Sequence, residues 1–145
     1  MNKIYFAASI RGGRNDVDTY FRLIELLRQH GTVLTEHVGD RKVSIFGEDG
    51  LTDPMIHDRD MEFLCQSNYL VAEVTTASLG VGYELGRIVE RNQWVSFDDR
   101  KKILCLYRPQ VDKRLSAMIS GCSGIKTVEY QTIAEAKKAI DDFFA

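Results

Sequence analysis

The sequence predicts a doubly wound α/β fold: a five-stranded parallel sheet in the order 2-1-3-4-5 with helices on both faces. Three observations carry this expectation. Short runs rich in β-branched and aromatic residues alternate five times with stretches of helical period. Two of the runs, Tyr69–Val74 and Lys102–Tyr107, are apolar almost throughout, as strands covered on both faces must be. Finally, 145 residues with 44% hydrophobic and 28% charged side chains suit one globular domain, residues 1–145, that buries a real core. The near balance of 19 Lys+Arg against 21 Asp+Glu excludes a strongly basic binder of nucleic acid polymers. It leaves room for a small phosphate-bearing ligand held by one local basic group. No apolar run approaches the roughly 18–20 residues of a membrane helix.

The elements follow in order. Lys3–Ala8 reads as a first strand that begins almost at once, which argues against a signal peptide. Asn15–His30 is a helix with Val17, Tyr20, Phe21, Ile24 and Leu27 on one face, Asn15 as N-cap and Gly31 as C-cap glycine. Thr32–Glu36 is expected as the second strand, and Arg41–Thr52, polar and without period, as a loop. Asp53-Pro54 opens a helix to about Ser67, with Asp53 as cap and proline at the first turn. After the Tyr69–Val74 strand, Thr75–Gly80 turns into a helix over Val81–Gln93, where Val81, Leu85, Ile88 and Val89 are in phase. Lys102–Tyr107, a short helix at Leu115–Ile119, a strand at Lys126–Tyr130 and a helix opened by a Thr132/Glu135 capping box complete the chain. The strand order is flavodoxin-like, and ligands of such sheets bind beyond the carboxyl ends of the strands.

Chemistry is therefore sought in the loops after strands 1, 3 and 4. Ser9-Ile10-Arg11-Gly12-Gly13-Arg14 combines a hydroxyl, paired glycines and guanidinium groups just before a helix N-terminus, a combination suited to a phosphate. An ordinary βα turn with solvated arginines fits the pattern equally well. Ser78-Leu79-Gly80-Val81-Gly82-Tyr83-Glu84 again places a serine and glycines before a helix. From position alone, Glu84 reads most plainly as a helix-start glutamate favoured by the dipole. Asp60 changes the balance. It sits on the apolar face of its helix, at i+4 from Ile56 and i−3 from Phe63, where a carboxylate is costly unless it is hydrogen-bonded as a satisfied core aspartate, paired or functional. Asp58, Glu62 and His57 read as solvated. Two carboxylates and a phosphate cradle, with no metal-ligand cluster, suit cleavage of a glycosidic bond on a nucleotide. Tyr5, near the carboxyl end of strand 1, is placed to offer a phenol to the sugar or to the carboxylates, or simply to pack. His37 is placed either to stack on a base or to lie at the surface. The three cysteines, Cys65, Cys105 and Cys122, have neither disulfide-framework nor zinc spacing.

The same residues resemble the 2'-deoxynucleoside 5'-monophosphate N-glycosidase family, a branch of the nucleoside 2-deoxyribosyltransferase superfamily. Tyr5-Phe6-x-x-Ser9-Ile10-Arg11-Gly12-Gly13-Arg14, Gly31–Val38, Val71–Thr75, Ser78–Arg87, Ile103–Gln110 and Leu115–Ile119 carry the resemblance, which runs from about residue 3 to residue 144. It implies a homodimer of flavodoxin-like protomers, no cofactor or metal, and hydrolysis of deoxynucleoside 5'-monophosphates to free base and 2-deoxyribose 5-phosphate. Glu84 would be the nucleophile of a covalent glycosyl intermediate. Asp60 would orient it and protonate the base, and Tyr5 would assist. Ser9, Ile10, Arg11, Gly12, Ser78 and Gly80 would surround the phosphate, Ser116 would reach it from the neighbouring protomer, and His37 would lie beside the base. Two departures stand out: Ala8 replaces the family's usual glycine, and Glu90–Arg100, with Trp94 and Phe97, lengthens one connection. Rival readings are a ribonucleotide N-glycosidase acting on CMP or its hydroxymethyl derivative, and a nucleotide-binding protein without catalysis. No membrane association is expected, and a cytoplasmic location, or a nuclear one in a eukaryote, is.

Overall fold

The computed structural model describes residues 1–10, 16–39 and 50–145. Its sheet is parallel and five-stranded, in the order β2-β1-β3-β4-β5. The strands are β1 Lys3–Ala7, β2 Thr32–Val33, β3 Tyr69–Glu73, β4 Lys102–Tyr107 and β5 Lys126–Glu129. The helices are α1 Val17–Arg28, α2 Asp53–Gln66, α3 Leu79–Trp94, α4 Ala117–Ser120 and α5 Ile133–Phe144. The predicted order and class are thus both present.

Strand parity divides the interior into two layers. Ile4 and Phe6 of β1, Val71 of β3 and Leu104 and Leu106 of β4 pack with Tyr20, Leu23, Ile24 and Leu27 of α1 and with Ala136 and Ile140 of α5. Tyr5 and Ala7, Leu70 and Ala72, and Ile103 and Cys105 face the other way, against Leu64 of α2 and Val81, Leu85 and Ile88 of α3. This parity sends the side chain of Tyr5 toward α2 and α3, the helices that carry the two candidate carboxylates.

Several boundaries differ from the sequence expectation, each for a local reason. β2 stops at Val33 because Thr35 replaces strand pairing with its side chain. Its hydroxyl accepts from Phe6 N at 2.8 Å and donates to Phe6 O at 2.7 Å. The chain then enters a 3-10 turn, Glu36–Gly39. Gly31 is not a left-handed C-cap. The α1 cap is Gln29, and a Cβ on Gly31 would lie 2.3 Å from Asn2 O, so glycine is needed for close backbone passage. In α1, Leu23 takes the buried place expected of Phe21, which is 39% exposed. Thr52, rather than Asp53, caps α2 by accepting from Met55 N. Glu135 reaches Gln131 N, one residue before the Thr132 cap whose N–H a capping box would use.

The Glu90–Arg100 stretch is spent largely on helix and on a 3-10 turn at Phe97–Asp99. α3 continues to Trp94, and Asn92 holds the returning chain through Lys101 O at 2.8 Å and Lys101 N at 2.9 Å. The buried Lys101 ammonium then closes the end of α2 by donating to Cys65 O at 2.9 Å and Ser67 O at 2.5 Å. All three cysteines are free, and burial pushes the Cys105 thiol up to about 12, with Cys122 adding to the rise. No helix among the described residues is long and apolar enough to cross a membrane.

Candidate active site

At the carboxyl ends of β1 and β3 a cleft of about 560 Å³ opens between α2 and the start of α3. One stripe of α2, with Asp53, Ile56, His57, Asp60 and Met61, forms one wall. Ala8 and Ile10 line it from the end of β1, and Ser78, Gly80, Tyr83 and Glu84 from α3. A depression of similar size lies at the opposite end of the sheet, around Asn68 and Lys101, away from the edge where such folds bind ligands.

Glu84 is positioned by the α3 cap. Ser78 accepts from Val81 N at 3.3 Å, which starts the helix and sets Glu84 in its second turn, facing inward. Gly80 adds to the room at this end, since a Cβ there would meet only Ser78 Oγ, at 3.9 Å. The dipole-favoured surface glutamate does not describe what is found. Glu84 is partly buried, and its Oε2 is enclosed with no hydrogen-bond partner among the described residues. Burial pushes its carboxyl up to about 8; the charge of Asp60 adds to the rise, and a hydrogen bond with Tyr5 opposes it. Tyr5 is 2% exposed. Burial first, then Glu84 and Asp60, raise its phenol far above the ordinary range, so it remains a donor. Asp60 and Glu84 line the cleft, and the buried Tyr5, which is not among the lining residues, is coupled to both.

Asp60 is 19% exposed and paired with its neighbour Arg59, whose Nε and Nη2 donate to Oδ1 at 3.1 and 3.0 Å. Arg59 Nη2 also meets His37 Nε2 at 3.2 Å, and the guanidinium carbon Cζ lies 5.9 Å from the centre of the Phe63 ring. His37 thus stands behind Asp60, through Arg59, and is not among the residues that line the cleft.

His57 is half-exposed, as expected, but it is not idle. Its Nε2 meets Tyr83 Oη at 3.2 Å across the cleft mouth, and its Nδ1 meets Asp58 Oδ1 at 2.9 Å. Arg87 donates to the same Tyr83 oxygen at 2.8 Å. The i+4 spacing of Asp53, His57 and Met61 on the Asp60 helix was the available signal for His57.

Ser9 is fully buried beside β1. Ser116 lies outside the Glu84 cleft: it caps α4 and lines a second groove, of about 880 Å³, which shares Ser78, Leu79 and Val81 with the first. Arg11 and Gly12 of the proposed phosphate loop, like Gly13, Arg14 and the Asn15 cap, lie outside the described residues, as does most of the Arg41–Thr52 loop.

Fold and site together define a doubly wound α/β protein with a two-carboxylate cleft at its strand ends and a buried tyrosine coupled to both carboxylates. Residues 4–124 match the nucleoside 2-deoxyribosyltransferase family, and the chain belongs to it. It is 47% identical to a 5-hydroxymethyl-dUMP N-hydrolase of Tetraodon nigroviridis, over 99% of this chain and 97% of that one. It is 46% identical to the human protein of the same name, over 97% and 78%. A putative 2'-deoxynucleoside 5'-phosphate N-hydrolase 1 of Trichoplax adhaerens is 48% identical over 97% and 92%. Among solved structures, the CMP N-glycosidase BcmB of Clostridium botulinum shares the fold with a TM-score of 0.63, at 12% identity over 98% of this chain and 99% of that one.

Proposed function

We propose that this protein hydrolyses the N-glycosidic bond of 2'-deoxynucleoside 5'-monophosphates, releasing the free base and 2-deoxyribose 5-phosphate. The observation that carries the reading is the enclosed Glu84 Oε2, without a hydrogen-bond partner among the described residues, which shares its cleft with Asp60 and is coupled to the buried Tyr5. A carboxylate oxygen desolvated in this way is available to an electrophilic sugar carbon. The relatives named as N-hydrolases of deoxynucleotides support the same reaction class.

Glu84 attacks C1' of the sugar; the C1'–O bond forms as the C1'–N bond breaks, and the base leaves with a proton. The free protein holds one proton on the Glu84 side of the carboxylate pair at neutral pH, because burial raises that group. Its transfer to Asp60 on substrate binding produces both the ionised nucleophile and the acid for the base. Water then cleaves the glycosyl ester, its hydroxyl going to C1' and its proton to the carboxylate pair, which restores the resting state. Tyr5 donates to Glu84 and stabilises the ionised form as the base departs. Ser9, Ile10, Arg11, Gly12, Ser78 and Gly80 hold the 5'-phosphate. A ligand without that phosphate leaves buried donors unpaired and binds poorly.

The working unit is a homodimer in which Ser116 completes the partner's phosphate site. In support, Leu79 and Met118, 97% and 82% exposed, line the groove that holds Ser116. A base-release assay on dGMP, dCMP, 5-hydroxymethyl-dUMP and CMP tests the reading. Release from the deoxynucleotides is expected. Faster turnover of CMP would replace it by a ribonucleotide activity, and binding without release would leave only a nucleotide-binding protein.

A further inference from the structure

Behind the cleft, at the carboxyl ends of β3, β4 and β5, lies a polar network that the chemistry above does not use. Glu73 is fully buried on β3. It accepts from Thr75 N at 2.6 Å, from Thr75 Oγ1 at 3.0 Å and from the Tyr130 hydroxyl. Thr75 Oγ1 in turn accepts from Arg108 N at 3.0 Å. The Arg108 guanidinium lies 5.9 Å over the Tyr130 ring and donates to Asp16 Oδ1 at 2.5 Å. Asp16 Oδ2 accepts from Thr76 Oγ1 at 3.3 Å. The bonds run from Glu73 through Thr75 and Arg108 to Asp16 and on to Thr76, which the backbone joins to Thr75.

Two features mark this as more than packing. The Arg108–Asp16 pair is partly buried, its side chains 24% and 14% exposed, and such a pair adds little to stability over apolar side chains of similar shape, so its presence points to a requirement for geometry. Asp16 also occupies the N-cap position of α1, yet its side chain makes no cap hydrogen bond and turns to Arg108 and Thr76 instead. What the network holds is the start of the β3–α3 loop. Thr75 and Thr76 are pinned on both sides, and Ser78, which begins α3, follows two residues later.

We propose that Arg108 and Asp16, backed by Glu73 and Tyr130, are positioning residues that set the Thr75–Ser78 loop, and with it the phosphate end of the cleft. They act through the loop rather than by touching the substrate; Arg108 and Asp16 line neither the Glu84 cleft nor the Ser116 groove. The inference rests on the reading of Ser78 and Gly80 as phosphate contacts.

The test compares ligands with and without the phosphate. Arg108→Gln is expected to raise KM for a deoxynucleoside 5'-monophosphate about tenfold, the size of one charged hydrogen bond, with kcat within about twofold of wild type. Turnover of the matching deoxynucleoside should be unmoved, and Arg108→Lys should recover most of the loss. Tyr130→Phe, which keeps the ring under Arg108 but removes the hydroxyl, should act in the same direction. Asp16→Asn separates positioning from direct contact. Positioning predicts weaker phosphate binding, whereas an arginine that touches the phosphate would be released to bind it more tightly. Tighter binding by Asp16→Asn, or equal losses on nucleotide and nucleoside, would overturn the proposal. Calorimetry with 2-deoxyribose 5-phosphate against 2-deoxyribose repeats the comparison without catalysis. If the wild-type protein released no base, the proposed reaction would fall while this arm still decided the role of the network.

Discussion

At the scale of single residues the site turns on Glu84, whose carboxyl is pushed up to about 8 by burial and by Asp60. Glu84→Ala is expected to abolish base release while leaving nucleotide binding measurable by calorimetry; turnover near the wild-type rate would remove Glu84 as nucleophile. The proton that Glu84 passes to Asp60 is the acid for the base, so kcat/KM of the free enzyme should fall as pH rises through about 8. Because the Tyr5 hydrogen bond opposes the shift, Tyr5→Phe should move this limb to higher pH. The same proton makes stability depend on pH. The folded state holds the proton more tightly than the unfolded one, so stability falls as pH rises from the ordinary carboxyl range toward 8. Glu84→Gln removes this penalty. Its unfolding free energy should match the wild type near pH 4 and exceed it increasingly up to pH 8, by on the order of 5 kcal/mol for the full shift, as is common where a site is built at the expense of stability. An advantage independent of pH would show that Glu84 does not titrate as described.

At the scale of elements, two side-chain facts set the edge of the sheet beside the cleft. Thr35 holds both the N–H and the carbonyl of Phe6, next to Tyr5. Thr35→Val keeps the shape and strands two buried backbone groups, so denaturant unfolding should show a loss of about 2–3 kcal/mol. Neither this contact nor the Asn2 contact of Gly31 was legible in the sequence. Periodicity reports which face of an element a residue occupies, and that sufficed for the five strands, the amphipathic helices and the inward Asp60, whereas Tyr5, expected near the carboxyl end of its strand, stands at the middle of β1. It is silent on what meets that face from another element. Hence Thr32–Glu36 looked like a full strand because its residue types suit one, and His57 looked solvated because its partner Tyr83 is 26 positions away. Glu84 showed the limit most clearly. Its place in a glycine-rich helix start was visible, yet only the packing of α2 against that start distinguishes a buried carboxylate from a dipole-stabilised surface one.

At the scale of the whole molecule, the positions of Ser116 and Glu84 make a shared site testable. Within one protomer they occupy different depressions, joined only through Ser78, Leu79 and Val81. In a two-fold dimer that shares its sites, each cleft takes Glu84 from one chain and Ser116 from the other. Glu84→Ala inactivates by removing the nucleophile, and Ser116→Asp should inactivate by placing a carboxylate against the 5'-phosphate. A heterodimer of the two then contains one cleft with both changes and one with neither. Mixing the two inactive proteins, after dissociation and reassembly, should therefore restore base release to about a quarter of the wild-type rate, since half of randomly formed dimers are mixed and each carries one intact cleft. Sites built within a single chain would give no recovery, because every cleft would keep one of the two substitutions. Size-exclusion chromatography with light scattering on the same samples separates this outcome from a failure to reassemble, so a dimer without recovery would assign Ser116 to its own protomer.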